Sequence, residues 1–428
     1  MMIQLDRTQA PDFHLTDTVS LLPVQAYTLD NHIPVYVIDA GEQPVTRVEW
    51  VFEAGGWDEA LPNVSTFTLR MLNEGTQQYT GAELAEFFDQ YGSFLELGAS
   101  ADRSTVTLYA LRKHLPVLLP RIQELLQEAT FPAEELEVQR TIALQNLQVN
   151  EEKTSFLASR GFREALFGKD HPYGKNQTQE NLKAFSREDL VTFYQNHIAG
   201  HAFQLFISGQ VDEREVALVN EIFGQQALLP QPERRSFELP VDANPAKVLI
   251  ELPEKTQSTL RMGKRMINRV HPDYYKVLVT NEIFGGYFGS RLMKNIREEK
   301  GFTYGIYSQM NNFAQASQLV IGTDVNKEFT SQTLAEIKKE SERLQTELVS
   351  ETELQTAQNY MIGQFIGSLN TPFEIADRHK VRILNNLPDD YHLRFIERIK
   401  AVTKEDVLAM AQTHFQWKDL VEVVAGGK

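Results

Sequence analysis

The 428-residue chain contains no cysteine. That one absence removes disulfide scaffolds, thiolate metal sites and cysteine nucleophiles together. No apolar run approaches the ~18–20 residues that a bilayer-spanning helix needs, so no membrane span is expected. Bases are scarce at the start, where the first 100 residues hold 3 Lys+Arg against 15 Asp+Glu. The net charge of −16 argues against a nucleic-acid backbone as partner, because phosphate binding needs a basic face. The opening MMIQLDRTQAPDFHL has neither a basic n-region nor an apolar h-region. No signal peptide is therefore expected, and the cytoplasm is the simplest compartment. HExxH, a P-loop, GxSxG and any Cys–His pairing are absent as well.

What is present is ordinary for a globular protein. Hydrophobic residues make up 42% and charged residues 23%, which excludes collagen, coiled coil and bulk disorder. The charge is uneven: residues 1–230 carry 32 acids and 16 bases, residues 231–428 carry 26 of each. An acidic first half is either a solvated surface that aids solubility or a wall that favours neutral or cationic peptides.

Residues 226–245, QALLPQPERRSFELPVDANP, hold four prolines and read as a linker between domains at 1–225 and 246–428. Both sides show one order of elements. In the first, strands are expected at 33–39 and 47–54, helices at 62–73 and 81–91, strands at 93–97 and 104–111. Long helical stretches follow over 113–129 and 132–165, then a helix from Ser186 and a strand at 202–208. In the second, strands are expected at 247–252, 259–268, 302–309 and 318–324, and helices at 272–284, 289–299, 327–347 and 350–370. The letters repeat too: AFSREDLVTFYQNHI (184–198) matches AVTKEDVLAMAQTHF (401–415) at an offset of 217. FPAEELEVQ (131–139) echoes LVSETELQT (348–356) at the same offset. A solenoid repeats every ~20–50 residues, so this is a duplicated α+β domain with antiparallel strands on one side and helices on the other.

Two local patterns carry less than they first offer. Gly285-Gly286-Tyr287-Phe288-Gly289-Ser290 lacks the GK[ST] ending of a phosphate cradle and reads as a tight turn between helices. His197 and His201 are spaced i, i+4, but Ala199 and Gly200 interrupt the helix between them and no acid lies suitably close, so no metal is assigned there.

Phe52–Gly56 with NVSTFTLRMLNEGT (63–76), the GxxLAxFFDxYGSFLE stretch (81–96) and GGYFGSRLMKNIREEKGFTYGIYS (285–308) resemble the M16 (pitrilysin-like) metallopeptidases, above all their short M16B branch. The resemblance covers essentially the whole chain. It implies two tandem homologous α/β-sandwich domains of the LuxS/mitochondrial-processing-peptidase-like metallohydrolase fold, forming half of a clamshell.

Active members of that family carry H-x-x-E-H, two zinc-binding histidines and a glutamate base, with a ligating glutamate 76 residues later. Aligned on Met71-Leu72 and Gly75-Thr76, those positions fall on Thr66, Leu69, Arg70 and Asn146, with Gln139-Arg140 where an E-R pair would stand. Threonine and asparagine are poor ligands, leucine moves no proton, and Arg70 brings a fixed positive charge. No metal or other cofactor is therefore expected in this chain. The resemblance also implies an arginine and a tyrosine seven apart in the second domain, facing the zinc site and binding substrate backbone and oxyanion. Arg297 and Tyr304 hold that spacing. A chain with the pair but no zinc motif looks like the non-catalytic subunit of a two-chain enzyme. Its expected partner is an M16 subunit with intact H-x-x-E-H that brings the zinc, and its expected substrate an unstructured peptide lying as an added strand on a sheet edge. The rivals are a structural or peptide-binding homologue and a homodimer.

Overall fold

The computed structural model describes residue 8, residues 18–239 and residues 246–427, so the last part of the expected linker lies outside the described residues. In the first half the chain runs β1 (Gln25–Thr28), β2 (Pro34–Asp39), β3 (Val45–Phe52), α1 (Val64–Met71), α2 (Gly81–Gln90), β4 (Phe94–Ala99) and β5 (Ser104–Leu111). It continues through α3 (Leu115–Glu128), α4 (Ala133–Glu151), α5 (Thr154–Phe167), α6 (Gln179–Ala184), α7 (Arg187–His197), β6 (Gln204–Gly209) and α8 (Glu213–Phe223). The sheet order is β1-β2-β6-β3-β5-β4, antiparallel except for the parallel pair β2–β6. α1 lies over this sheet, and Trp50, Phe52, Phe67 and Leu69 are fully enclosed in its core.

The second half is built alike from β7 (Lys247–Glu251), β8 (Gln257–Arg265), α9 (Tyr274–Asn281), β9 (Ile306–Asn312), β10 (Ser317–Asn326), α10 (Thr330–Thr346), α11 (Glu351–Gly367), α12 (Pro372–Leu384), α13 (Phe395–Lys400), α14 (Lys404–His414) and β11 (Val421–Gly426). Its sheet order, β7-β11-β8-β10-β9 with β7–β11 parallel, repeats the first sheet without β1. The architecture is α+β with two sheets. The repeated letters mark repeated chemistry. Ser186 and Asp189 cap α7 reciprocally, as Thr403 and Asp406 cap α14, each pair satisfying two orphan backbone donors.

Three expectations shift. The helical stretch 132–165 breaks at Lys153, which is extended, and Thr154 then reaches Thr259 of β8 (Oγ1 to Oγ1 2.9 Å). α5 thus leaves its own half and packs on β8 and β11 of the other sheet. One duplication offset later, α12 crosses the opposite way onto β2 and β6. The strand expected from Phe302 begins only at Ile306, because the Thr303 hydroxyl accepts the Gly305 amide (3.1 Å) and lies 2.7 Å from Asp324 O. Such local side-chain bonding competes with a ladder. Finally, the two helical segments around the glycine-rich turn end or run as wide i→i+5 turns, at 282–286 and 293–299.

Candidate functional site

Arg297 sits on the second wide-turn stretch, a geometry that recurs at functional sites. Two polar side chains close to it are committed. Arg291 forks onto Glu353 (2.8 and 3.0 Å), and Asn295 donates to Glu336 and Glu340 (2.9 and 2.7 Å). Arg297 makes no ion pair among the described residues. Its guanidinium lies between two rings instead, 4.4 Å from the Phe288 centroid and 5.2 Å from that of Tyr304. Tyr304 is 91% exposed and Phe288 60% exposed.

The backbone under Tyr304 is nonetheless fixed. Phe302 stacks on Phe329 at 4.7 Å, its amide donates to Ile296 O (3.0 Å), and Thr303 ties the segment to β10. A pinned backbone with a free phenol is an arrangement able to present a donor to something outside the chain. Beside it opens a hollow of about 830 Å³ between Tyr304, Tyr307, Gly301 and Asp324. The glycine-rich segment 285–290 is a close-packed turn: a Cβ on Gly285 would lie 2.7 Å from Ser308 Cβ. That packing aims Phe288 outward. The sequence carries one signal for Phe288, a large apolar residue inside a glycine-rich turn.

The structure keeps the four zinc-position residues far from ligand chemistry. Thr66 and Arg70 occupy the outer side of α1, Arg70 with its guanidinium 5.9 Å from the Phe67 centroid. Leu69 is fully buried in the core, and Asn146 is exposed on α4. A hydroxyl, an aliphatic core residue, a guanidinium and a carboxamide do not fit a zinc ion. Gln139, at the E-R position, donates to Glu74 (3.0 Å) and holds α4 to the segment after α1. Among the described residues, no group of three or more His, Asp or Glu side chains is placed to hold a metal. His201 lies beyond the end of α7, past Gly200 in the left-handed region, with Nε2 3.0 Å from Gln195 O. His197 packs on Phe193 (4.8 Å), and burial pushes its imidazole below the ordinary value. No helix among the described residues is long and apolar enough to cross a membrane.

Comparison with known proteins adds family to fold. The sequence model described as insulinase (peptidase family M16) matches residues 41–171, and that described as peptidase M16 inactive domain matches residues 184–361. The chain is 21% identical over 362 residues to a Bacillus subtilis protein named uncharacterized zinc protease YmxG, covering 81% of this chain and 86% of that one. It is 23% identical over 415 residues to a Helicobacter pylori protein named non-peptidase homolog YmxG, covering 92% of each. A crystal structure of a peptidase M16 inactive domain from Pseudomonas fluorescens superposes with a TM-score of 0.84 at 25% identity, over 95% of this chain and 99% of that one. With the two M16 models together spanning most of the chain and the duplicated sheets beneath them, the chain belongs to the M16 peptidase family.

Proposed function

We propose that this chain is the zinc-less subunit of a two-chain M16 peptidase, pairing with a chain that bears H-x-x-E-H and supplies the metal. The observation that carries the reading is the asymmetry between the halves. The positions that would hold zinc are chemically spent, while Arg297 makes no ion pair and the Tyr304 hydroxyl no hydrogen bond among the described residues, on a fixed backbone at the surface. In that role Arg297 holds a peptide carbonyl, and the Tyr304 hydroxyl donates to the oxygen as negative charge develops on it. One such donor is worth about 10²–10³ in rate. An unstructured peptide lies as an added strand along a sheet edge, where backbone groups are free to pair.

The test is reconstitution with an M16 chain carrying H-x-x-E-H, assayed on a fluorogenic unstructured peptide. Tyr304→Phe should lower kcat by about 10²-fold while assembly and metal content stay unchanged. Elemental analysis of this chain alone should give well under one zinc per molecule. Wild-type kcat and KM in both Tyr304→Phe and Arg297→Ala complexes would leave the pair as framework. That outcome favours the second reading, a structural or peptide-binding homologue, which the name of the Helicobacter pylori relative supports.

A further inference from the structure

A separate cavity of about 540 Å³ lies on the second half, between the loop that leads into α9 and the chain around α13. It shares no lining residue with the hollow beside Tyr304. Its size falls within the ~300–1,000 Å³ of small-molecule sites.

Charge sets it apart. Arg269, His271, Lys276 and Arg398 line it, and no lining residue is a carboxylic acid. Lys276 already answers to Asp406 (2.8 Å) and Asp273 (3.5 Å). Arg269 and Arg398 make no ion pair among the described residues. Asp273 also faces His271 (4.0 Å), whereas the other acids close by in sequence are committed elsewhere: Asp389 to Arg382, and Asp390 and Glu397 to Arg394. Behind the wall the positive field is felt. Burial, and then the charge of Arg269, push the Arg378 guanidinium below its ordinary value. Burial, with Arg378 and Arg269 among the further causes, holds His392 at about 4. In a chain of net charge −16, two guanidiniums that line one cavity without an ion pair offer an anion a place to bind. Apart from Asn386, the rest of the wall is apolar or aromatic, with Leu387, Pro388 and Tyr275, whose ring lies 5.0 Å from the Arg398 guanidinium.

We propose that this cavity binds a small organic anion. Arg269 and Arg398 hold its phosphate or carboxylate head, and an aromatic or aliphatic body lies against Leu387, Pro388 and Tyr275. Guanidinium forks match both heads, and the volume exceeds what a bare inorganic ion fills.

Titration calorimetry on the full chain tests it with three probes: phenyl phosphate, phenylacetate and inorganic phosphate. One aromatic anion should bind saturably at one per chain, at least about 10-fold tighter than inorganic phosphate; the better of the two names the head group. Arg269→Gln and Arg398→Gln should each weaken it by about 10-fold or more. Ala401→Trp, at an exposed lining position, removes no charge and should abolish binding by filling the mouth, which covers the case of an arginine variant that fails to fold. Lys338→Gln on α10 should change nothing. No saturation by either aromatic probe up to about 5 mM overturns the proposal, as does unchanged affinity in folded variants.

Discussion

The duplication sends one helix from each half across to the other sheet, and the two crossings are chemically unlike. α5 meets its sheet through apolar side chains: Phe162, Leu166 and Phe167 close against Val320, Val421 and Val423, with Trp57 and Tyr173 sealing the end. Gly161 lets the helix approach so closely that an added Cβ would sit 3.3 Å from both Ile250 and Val423. α12 meets its sheet through a small apolar contact, Ile375 and Ala376 on Ile38, and beside it with charge. Arg47 and Glu49 of β3, both buried, lie 2.9 Å apart; Arg47 also reaches Asp377 (3.0 Å) and Phe373 O (3.0 Å), and Lys380 reaches Glu49 (2.6 Å). Burial pushes the Asp377 carboxyl up, but Arg47 and Lys380 outweigh it and hold it below its ordinary range. Glu49 Oε2 is near Arg47 without hydrogen-bond geometry and has no other hydrogen-bond partner among the described residues, so this seam is incompletely satisfied. One topology can thus be sealed by either physics. The apolar seam holds by area, the ionic seam by mutual dependence of its members.

The largest effect belongs to the apolar seam. Phe162→Ala should cost about 3–5 kcal/mol in urea unfolding, insensitive to salt, because it opens a cavity between α5 and β8. A loss under about 1 kcal/mol would mean that the seam is not closed there. Next comes Arg47→Met, expected to cost about 2–4 kcal/mol because Glu49 keeps only Lys380 in a buried site. The double variant Arg47→Met, Glu49→Met should regain most of that loss, since buried pairs are often matched by apolar residues of similar size. A double variant no better than the single would place the value of the pair in its attraction.

The smallest effect has the opposite sign. Glu282 is a half-buried acid with none of the compensation Glu49 enjoys, and burial alone raises it from 4.5 to about 7. Below pH 4.5 it is neutral folded or unfolded and costs nothing. As pH climbs to 7 the unfolded chain ionises first, so stability falls and stays lower above that pH. Glu282→Gln should therefore stabilise by about 2 kcal/mol at pH 8 and by nothing at pH 4, read from melting at both values. Equal shifts at the two values would show that Glu282 ionises normally.

Local features were legible in the sequence and distant ones were not. The capping boxes at Ser186 and Thr403 were readable because both partners sit within four residues. Alternation in β3 marked a strand, but nothing near Arg47 and Glu49 announces that α12, some 330 residues on, will cover them. α12 itself, rich in charge, gives no hint that it lies on a sheet. At the candidate site, the Arg297–Tyr304 spacing was visible only through family likeness. Their unpaired state rests on where Phe288, Glu353 and Glu336 fall, which no spacing encodes.

The exchange of helices also orders events in time. α5 ends at Phe167, and the strand it must cover, β11, starts at Val421, 254 residues later. At ~5–20 residues per second, the ribosome leaves the apolar side of α5 without that strand for roughly 13–50 s. Nascent chains halted before residue 421 should therefore be far more open to protease at Phe162–Phe167 than the released protein. During that interval the unfinished first half is a natural client for holding chaperones.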